Sequence, residues 1–320
     1  VFAYHDVGVR CLRALLAHGV QIPLVVTHTD APTEQIWFES VARHAAWHDI
    51  PVITPQDPNA AECVARVRAA RPDFLFSFYY RSLLGPTLLA LPARGAYNMH
   101  GSLLPRYRGR VPVNWAVLRG ETTTGATLHG MTLKPDAGDI VAQQAVPILP
   151  DDTAGEVFRK VTVAAELALY GCLPALLAGT APHVPQDLKL GSYFGRRTAR
   201  DGAIDWRAGA RAVHDLVRAV APPYPGAYTQ TVAEGGDQIA AVDIRILRTL
   251  PVASTAVPAA LRDAAGLAPA LRWCAGALYA LCHDGVLKLL EFELDGRAGD
   301  AATFHQGFGE RFVPLRPSME

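Results

Sequence analysis

Charge is what this sequence has least of. Only 19% of its 320 residues are Asp, Glu, Lys or Arg, and 30 basic residues balance 30 acidic ones. A neutral chain with half its residues hydrophobic is not a disordered polyelectrolyte. It offers no broad basic face, so nucleic acid is not expected as a partner. Cysteine is scarce as well. Cys11, Cys63, Cys172, Cys274 and Cys282 are odd in number and widely spaced, with no C-x-x-C pair. Reduced thiols are therefore expected, with neither a disulfide framework nor a metal cluster. No run of about 18 uncharged apolar residues occurs, so no membrane span is expected. The opening Val1-Phe2-Ala3-Tyr4-His5-Asp6 lacks the positive start and longer apolar run of a signal peptide, so the expected location is cytoplasmic. A dinucleotide cradle is missing too. His5–Arg10 holds one glycine where G-x-G-x-x-G is needed, which excludes a nicotinamide site.

What is present is a rhythm. Short apolar runs at Val1–Tyr4, Ile22–Thr27, Ile50–Ile53 and Phe74–Phe78 alternate with helical patterns at Cys11–His18, Glu34–His48 and Ala60–Ala70. Such β-α alternation predicts right-handed crossovers and a Rossmann-like, mostly parallel sheet. Ala96–Met99 reads as a further strand, and Thr124–Leu133 and Ile140–Ile148 as a hairpin pair. Thr153 and Glu156, at capping-box spacing, open a helix that runs to about Leu177. Residues 180–200 have the Pro, Gly and Arg content of a linker, and Ala208–Ala219 reads as a short helix. Beyond it, runs at Ala227–Val232, Ile239–Leu247, Leu278–Cys282 and Val286–Phe292 lack intervening long helices, which predicts a small β-rich domain. Ala253–Ala270 reads as a loop insertion. The expected organisation is an α/β domain over 1–185, a linker over 186–207 and an OB-like domain over 208–320.

The densest polar stretch is Asn98-Met99-His100-Gly101-Ser102-Leu103-Leu104-Pro105-Arg106-Tyr107-Arg108-Gly109-Arg110. It starts at a strand end and breaks into a Gly/Pro loop, where an α/β sheet presents functional groups. Asn98 and His100 are two apart and share a strand face. Lys134-Pro135-Asp136-Ala137-Gly138-Asp139 also follows a strand. An amide donor for an oxyanion, a histidine and a carboxylate to orient it suit acyl transfer to an amine. Taken alone, Asn98 could equally cap a turn and His100 pack as a core histidine. No nucleophile motif accompanies them, since Ser102 is not in G-x-S-x-G, so direct attack by the amine is expected.

The run from Asn98 to Gly109 resembles the signature of formyltransferases that use 10-formyltetrahydrofolate, and Asp136-Ala137-Gly138 resembles the second motif of that family. The likeness continues through Phe194-Gly195-Arg196-Arg197-Thr198, Asp205-Trp206 and Pro223-Tyr224-Pro225-Gly226-Ala227. Within the family it is greatest to the members that formylate UDP-4-amino-4-deoxy-L-arabinose, a step in lipid A modification and polymyxin resistance. The alternatives are methionyl-tRNA formyltransferases and formyltransferases for dTDP-linked amino sugars. The region Asp30–Gln35 is short and acidic, without the basic loop of the tRNA enzymes.

The resemblance implies Asn98, His100 and Asp136 as catalytic residues. It places folate in the crevice formed by Ser82, Leu83, Leu84 and the Asp136 loop. It implies Arg196 and Arg197 as candidates for the diphosphate, because a guanidinium fork matches phosphate, and Tyr224 for stacking on uracil. The partners implied are a nucleotide sugar and folate. Homo-oligomerisation stays open. His5 and His28, at the ends of the first two strands, are further candidates for sugar-nucleotide contact.

Overall fold

The computed structural model describes residues 1–32, 36–235, 238–262, 264 and 269–316. In chain order the strands are β1 (Phe2–Ala3), β2 (Val25–Val26), β3 (Val52–Ile53), β4 (Leu75–Phe78), β5 (Ala96–His100), β6 (Arg108–Gly109), β7 (Thr123–Gly130), β8 (Ile140–Pro147) and β9 (Tyr193–Phe194). The barrel strands follow: β10 (Ala227–Gly235), β11 (Gln238–Val252), β12 (Ala270–Cys274), β13 (Ala277–Cys282), β14 (Gly285–Leu294), β15 (Arg297–Gly299) and β16 (Val313–Arg316). The helices are α1 (His5–Ala17), α2 (Val41–Ala46), α3 (Ala61–Ala69), α4 (Pro86–Leu89), α5 (Pro112–Leu118), α6 (Ala154–Ala178), α7 (Ala210–Val220), α8 (Ala259–Arg262) and α9 (Ala301–Phe308).

Two compact units form. The first comprises residues 1–113, 123–147 and 158–196, and the second 114–122, 148–157 and 197–320. The first unit carries a sheet of order β3-β2-β1-β4-β5-β7-β8. Strands β1 to β5 are parallel, and β7 and β8 add an antiparallel hairpin against β5. The chain order reverses between β1 and β4, and in such sheets the crevice beyond the carboxyl ends receives ligands. Phe2, Leu24, Val26, Val64, Val67, Leu75 and Leu88 form one of its cores.

Two helices differ from expectation. Helix α1 begins at His5, six residues before the expected Cys11. Gly8 lowers helix propensity in the sequence, but a Cβ there would lie 2.9 Å from Val41 Cγ2 and 3.1 Å from Ala3 Cβ. The close packing needs glycine, and tertiary contact carries the helix through it. The pattern over Glu34–His48 yields only α2; Glu34 and Gln35 lie outside the described residues. Trp37 and Phe38 are instead drawn against His5, with ring centroids 4.5 and 4.0 Å away.

Helix α6 holds a long apolar stretch in which Glu166 interrupts the run of uncharged residues. By length and composition it is apolar enough to cross a membrane, since Glu166 is the one charge between Val161 and Ala178. In this fold Val161, Ala165, Leu169 and Leu173 form a fully buried stripe at four-residue spacing. Glu166 pairs with Arg10 at 3.1 Å.

The second unit is an antiparallel barrel. The order β11-β10-β16-β12-β13-β14-β15 closes through a further β11–β14 pairing, which leaves the short β15 at the margin. Its core gathers Ile204, Trp206, Val217, Ile244, Leu271, Leu278, Leu287 and Phe304. The expected loop insertion at 253–270 holds a short turn at Ser254–Ala256 and helix α8; residues 263 and 265–268 lie outside the described set.

Candidate active site

The site is built by strand register. Asn98 and His100 project from one face at the carboxyl end of β5, two residues apart. Across the antiparallel β5–β7 pairing, Asn98 stands opposite His129 and His100 opposite Thr127. The β7–β8 ladder shifts register beside His129, a bulge of the kind that re-aims a side chain. The connection between β7 and β8 then carries Asp136 back to the same place.

His100 is 6% exposed. Its Nε2 lies 2.8 Å from the Tyr107 carbonyl, and a carbonyl only accepts, so Nε2 bears the proton. Nδ1 is left facing Asp136 Oδ1 at 3.5 Å. Asp136 Oδ1 is also 3.6 Å from His129 Nε2, and Oδ2 accepts from the Gly109 N–H at 2.9 Å. Burial opposes ionisation of Asp136, but His100, His129 and the Gly109 N–H outweigh it and hold the carboxyl well below the usual carboxylate range. His100 is held below the ordinary imidazole value, first by burial, with the Asp136 carboxylate and the Tyr107 carbonyl working against that shift.

Two loops must hold still for this geometry. Thr127 Oγ1 donates to the Ser102 carbonyl at 2.6 Å and accepts from Leu104 N at 3.2 Å and from Gln143 Nε2 at 2.9 Å. Ser102 Oγ donates to the Arg106 carbonyl at 2.6 Å. Residues 184–194 add two further anchors. Gln186 Nε2 donates to the carbonyls of Asp136 (3.2 Å) and Gly138 (2.6 Å). Ser192 accepts from Tyr107 N at its hydroxyl, at 2.9 Å, and from Arg108 N at its carbonyl, at 3.0 Å. Strand β9 pairs with β6. At Gly109, with φ of +96°, a Cβ would meet the Phe194 carbonyl at 2.2 Å, so this approach requires glycine.

Of the residues singled out in the sequence, Asn98, His100 and Asp136 come together. Sequence reasoning missed His129, Thr127 and Gln186. Leu84 is a core residue, 7% exposed and packed with Phe2 and Leu88. Leu83 exposes its side chain while Asn59 Nδ2 donates to its carbonyl at 3.0 Å, and Ser82 is half-buried between them and Arg81. Arg196 is exposed at the end of the first unit. Arg197, in the second unit, donates to the Asp201 carbonyl at 2.9 Å and lies over the Trp115 ring. The Tyr224 hydroxyl bonds the Asn114 side chain, and burial pushes it up to about 12. His28 stacks on Tyr80 and accepts from Arg81 N.

The sequence matches the formyl transferase family over residues 12–172 and the formyl transferase C-terminal domain over residues 197–309. The chain therefore belongs to the formyl transferase family. Among solved structures it is similar to the N-formyltransferase of Helicobacter canadensis in complex with folinic acid and dTDP-3-aminofucose. That match has 17% identity and a TM-score of 0.68, covering 91% of this chain and 98% of that one. A 4-N formyltransferase from Francisella tularensis is 20% identical over 71% of this chain and 90% of its own, with a TM-score of 0.56. A sugar N-formyltransferase from Shewanella is 18% identical over 78% and 96%, with a TM-score of 0.57. At these identities the likeness is one of fold.

Proposed function

We propose that this chain transfers the formyl group of 10-formyltetrahydrofolate to the amine of a nucleotide-linked amino sugar. The observation that carries the reading is the meeting of half-buried Asn98 and buried His100, at the carboxyl end of β5, with half-buried Asp136 from the β7–β8 connection. The amine nitrogen attacks the formyl carbon, and the carbonyl pair moves onto oxygen, where an Asn98 N–H stabilises it. The amine proton passes to His100 Nδ1. Asp136 stabilises the imidazolium that forms. Collapse of the intermediate breaks the bond to folate N10, which takes up the proton. Ser82, Leu83, Leu84 and the Asp136 loop are assigned to folate; Arg196, Arg197 and Tyr224 are assigned to the nucleotide.

The acceptor implied by the resemblance of the sequence motifs is UDP-4-amino-4-deoxy-L-arabinose. A dTDP-linked amino sugar is the second reading, favoured by the dTDP-3-aminofucose of the Helicobacter relative. Turnover with 10-formyltetrahydrofolate against UDP- and dTDP-amino sugars and initiator tRNA tests both. The expected result is formylation of the UDP sugar, with tRNA far slower. Efficient tRNA formylation that falls steeply with salt would overturn the sugar reading.

The pH profile follows from His100. Its neutral form is the active one and its folded value is lowered from 6.5. The kcat, which reports groups of the bound complex, should fall only below that value as the ring protonates, and stay level above it. A His100-dependent loss of kcat beginning above pH 7 would contradict the assignment.

A further inference from the structure

The three groups of the mechanism share a fourth neighbour that the mechanism does not use. His129 is 2% exposed. Its Nδ1 lies 2.8 Å from the Gly130 carbonyl, and its Nε2 lies 3.3 Å from Asn98 Nδ2 and 3.6 Å from Asp136 Oδ1. A carbonyl oxygen can only accept, so Nδ1 carries a proton in every state that keeps this bond. In the neutral ring Nε2 is then a lone pair, and the Asn98 amide must offer it an N–H. An amide has two N–H groups and one oxygen, and a half-turn exchanges them with almost no change of shape. An oxyanion is stabilised by the first arrangement and repelled by the second.

We propose that His129 is a positioning residue that fixes which way the Asn98 amide faces. One N–H is held on Nε2 and the other is presented to the developing oxyanion. The inference rests on the formyl-transfer reading of Asn98. It distinguishes His129 from a side chain that only fills the space between β5 and β7. A space-filler could be replaced by leucine at a cost in stability alone. An orienting acceptor could be replaced by glutamine, whose Oε1 accepts, and not by leucine.

His129→Leu is expected to lower kcat at least 10-fold, toward the roughly 10²–10³-fold cost of losing one oxyanion donor, with the KM for 10-formyltetrahydrofolate moving less than about threefold, the pattern of an interaction made only in the transition state. His129→Gln should recover most of that loss. In an Asn98→Ala background His129→Leu should cost clearly less than it does beside Asn98, since no amide remains to orient. Equal activity of the Leu and Gln variants, or the same fold-loss with and without Asn98, would overturn the proposal. A second measurement does not depend on the acceptor. Imidazole ¹⁵N shifts of the wild-type protein at its working pH should report Nδ1–H with a bare Nε2. An Nε2–H, in the neutral ring or the imidazolium, would overturn the inference even if His129→Leu fails to fold. Should the wild-type protein formylate no amino sugar, the functional reading falls, and the ¹⁵N measurement still decides the role of His129.

Discussion

Asp136→Asn is expected to cut the rate of formyl transfer by about 10²–10⁴-fold, the range general acid–base groups supply, with no loss of fold. Asparagine has nearly the same shape and keeps an oxygen for the Gly109 N–H, so the 131–139 loop stays closed. What disappears is the charge beside His100 Nδ1, now 3.5 Å away. His100 is lowered by burial and raised by this carboxylate. Removing the carboxylate lowers it further, so the ring becomes a weaker proton acceptor and its imidazolium loses its partner. Steady-state kinetics with the accepted amino sugar, an NMR titration of His100 and a thermal melt check the three parts. A loss under tenfold with an unchanged melt would sink the role given to Asp136.

Asp215→Ala should destabilise the protein by about 3–5 kcal/mol, the cost of stranding one member of a buried ion pair. At roughly 2–4 °C per kcal/mol this lowers the melting midpoint by about 6–20 °C. Arg218 is 3% exposed and Asp215 5%, with Arg218 Nη2 2.7 Å from Asp215 Oδ1 and Nε 2.8 Å from the same oxygen. Arg211 Nε adds a third bond to Oδ2 at 3.0 Å. With the carboxylate gone, a buried guanidinium keeps only carbonyl acceptors such as Asp152 O. The paired change Asp215→Leu with Arg218→Met removes both charges and should recover most of the loss. Calorimetry of the single and paired variants measures it. A single-variant effect under about 1 kcal/mol would show that water reaches the pair.

The parallel half of the first sheet was legible because each strand there is a short β-branched or aromatic run between turn signals, such as Val25–Val26 or Leu75–Phe78. Asn98 and His100 were legible as a two-residue spacing on a strand, which needs no tertiary knowledge. His129 was not. It meets Asn98 through a pairing partner 31 positions away, and register is set by the hairpin rather than by local composition. A weak signal existed. Thr127 and His129 alternate with buried Ala126 and Leu128 on one strand, so two polar residues there share a face. In the second unit β12 and β16 were not legible because Arg272 and Pro314 interrupt their apolar patterns. The barrel that closes around them supplies the pairing those patterns do not announce.

The anchoring by residues 184–194 bears on how short a piece of this protein can keep the arrangement of Asn98, His100 and Asp136. The sheet itself is finished by β8, at Pro147, and α6 by Ala178. A fragment cut there would retain every strand of the first sheet and each of Asn98, His100, His129 and Asp136. It would still lack Gln186, which holds the Asp136 carbonyl, and Ser192 and Phe194, which hold Tyr107, Arg108 and Arg110 through their backbone N–H groups. The minimal unit that preserves the reacting geometry is therefore defined by the hydrogen bonds of a late segment onto two earlier loops, and its boundary falls after Phe194.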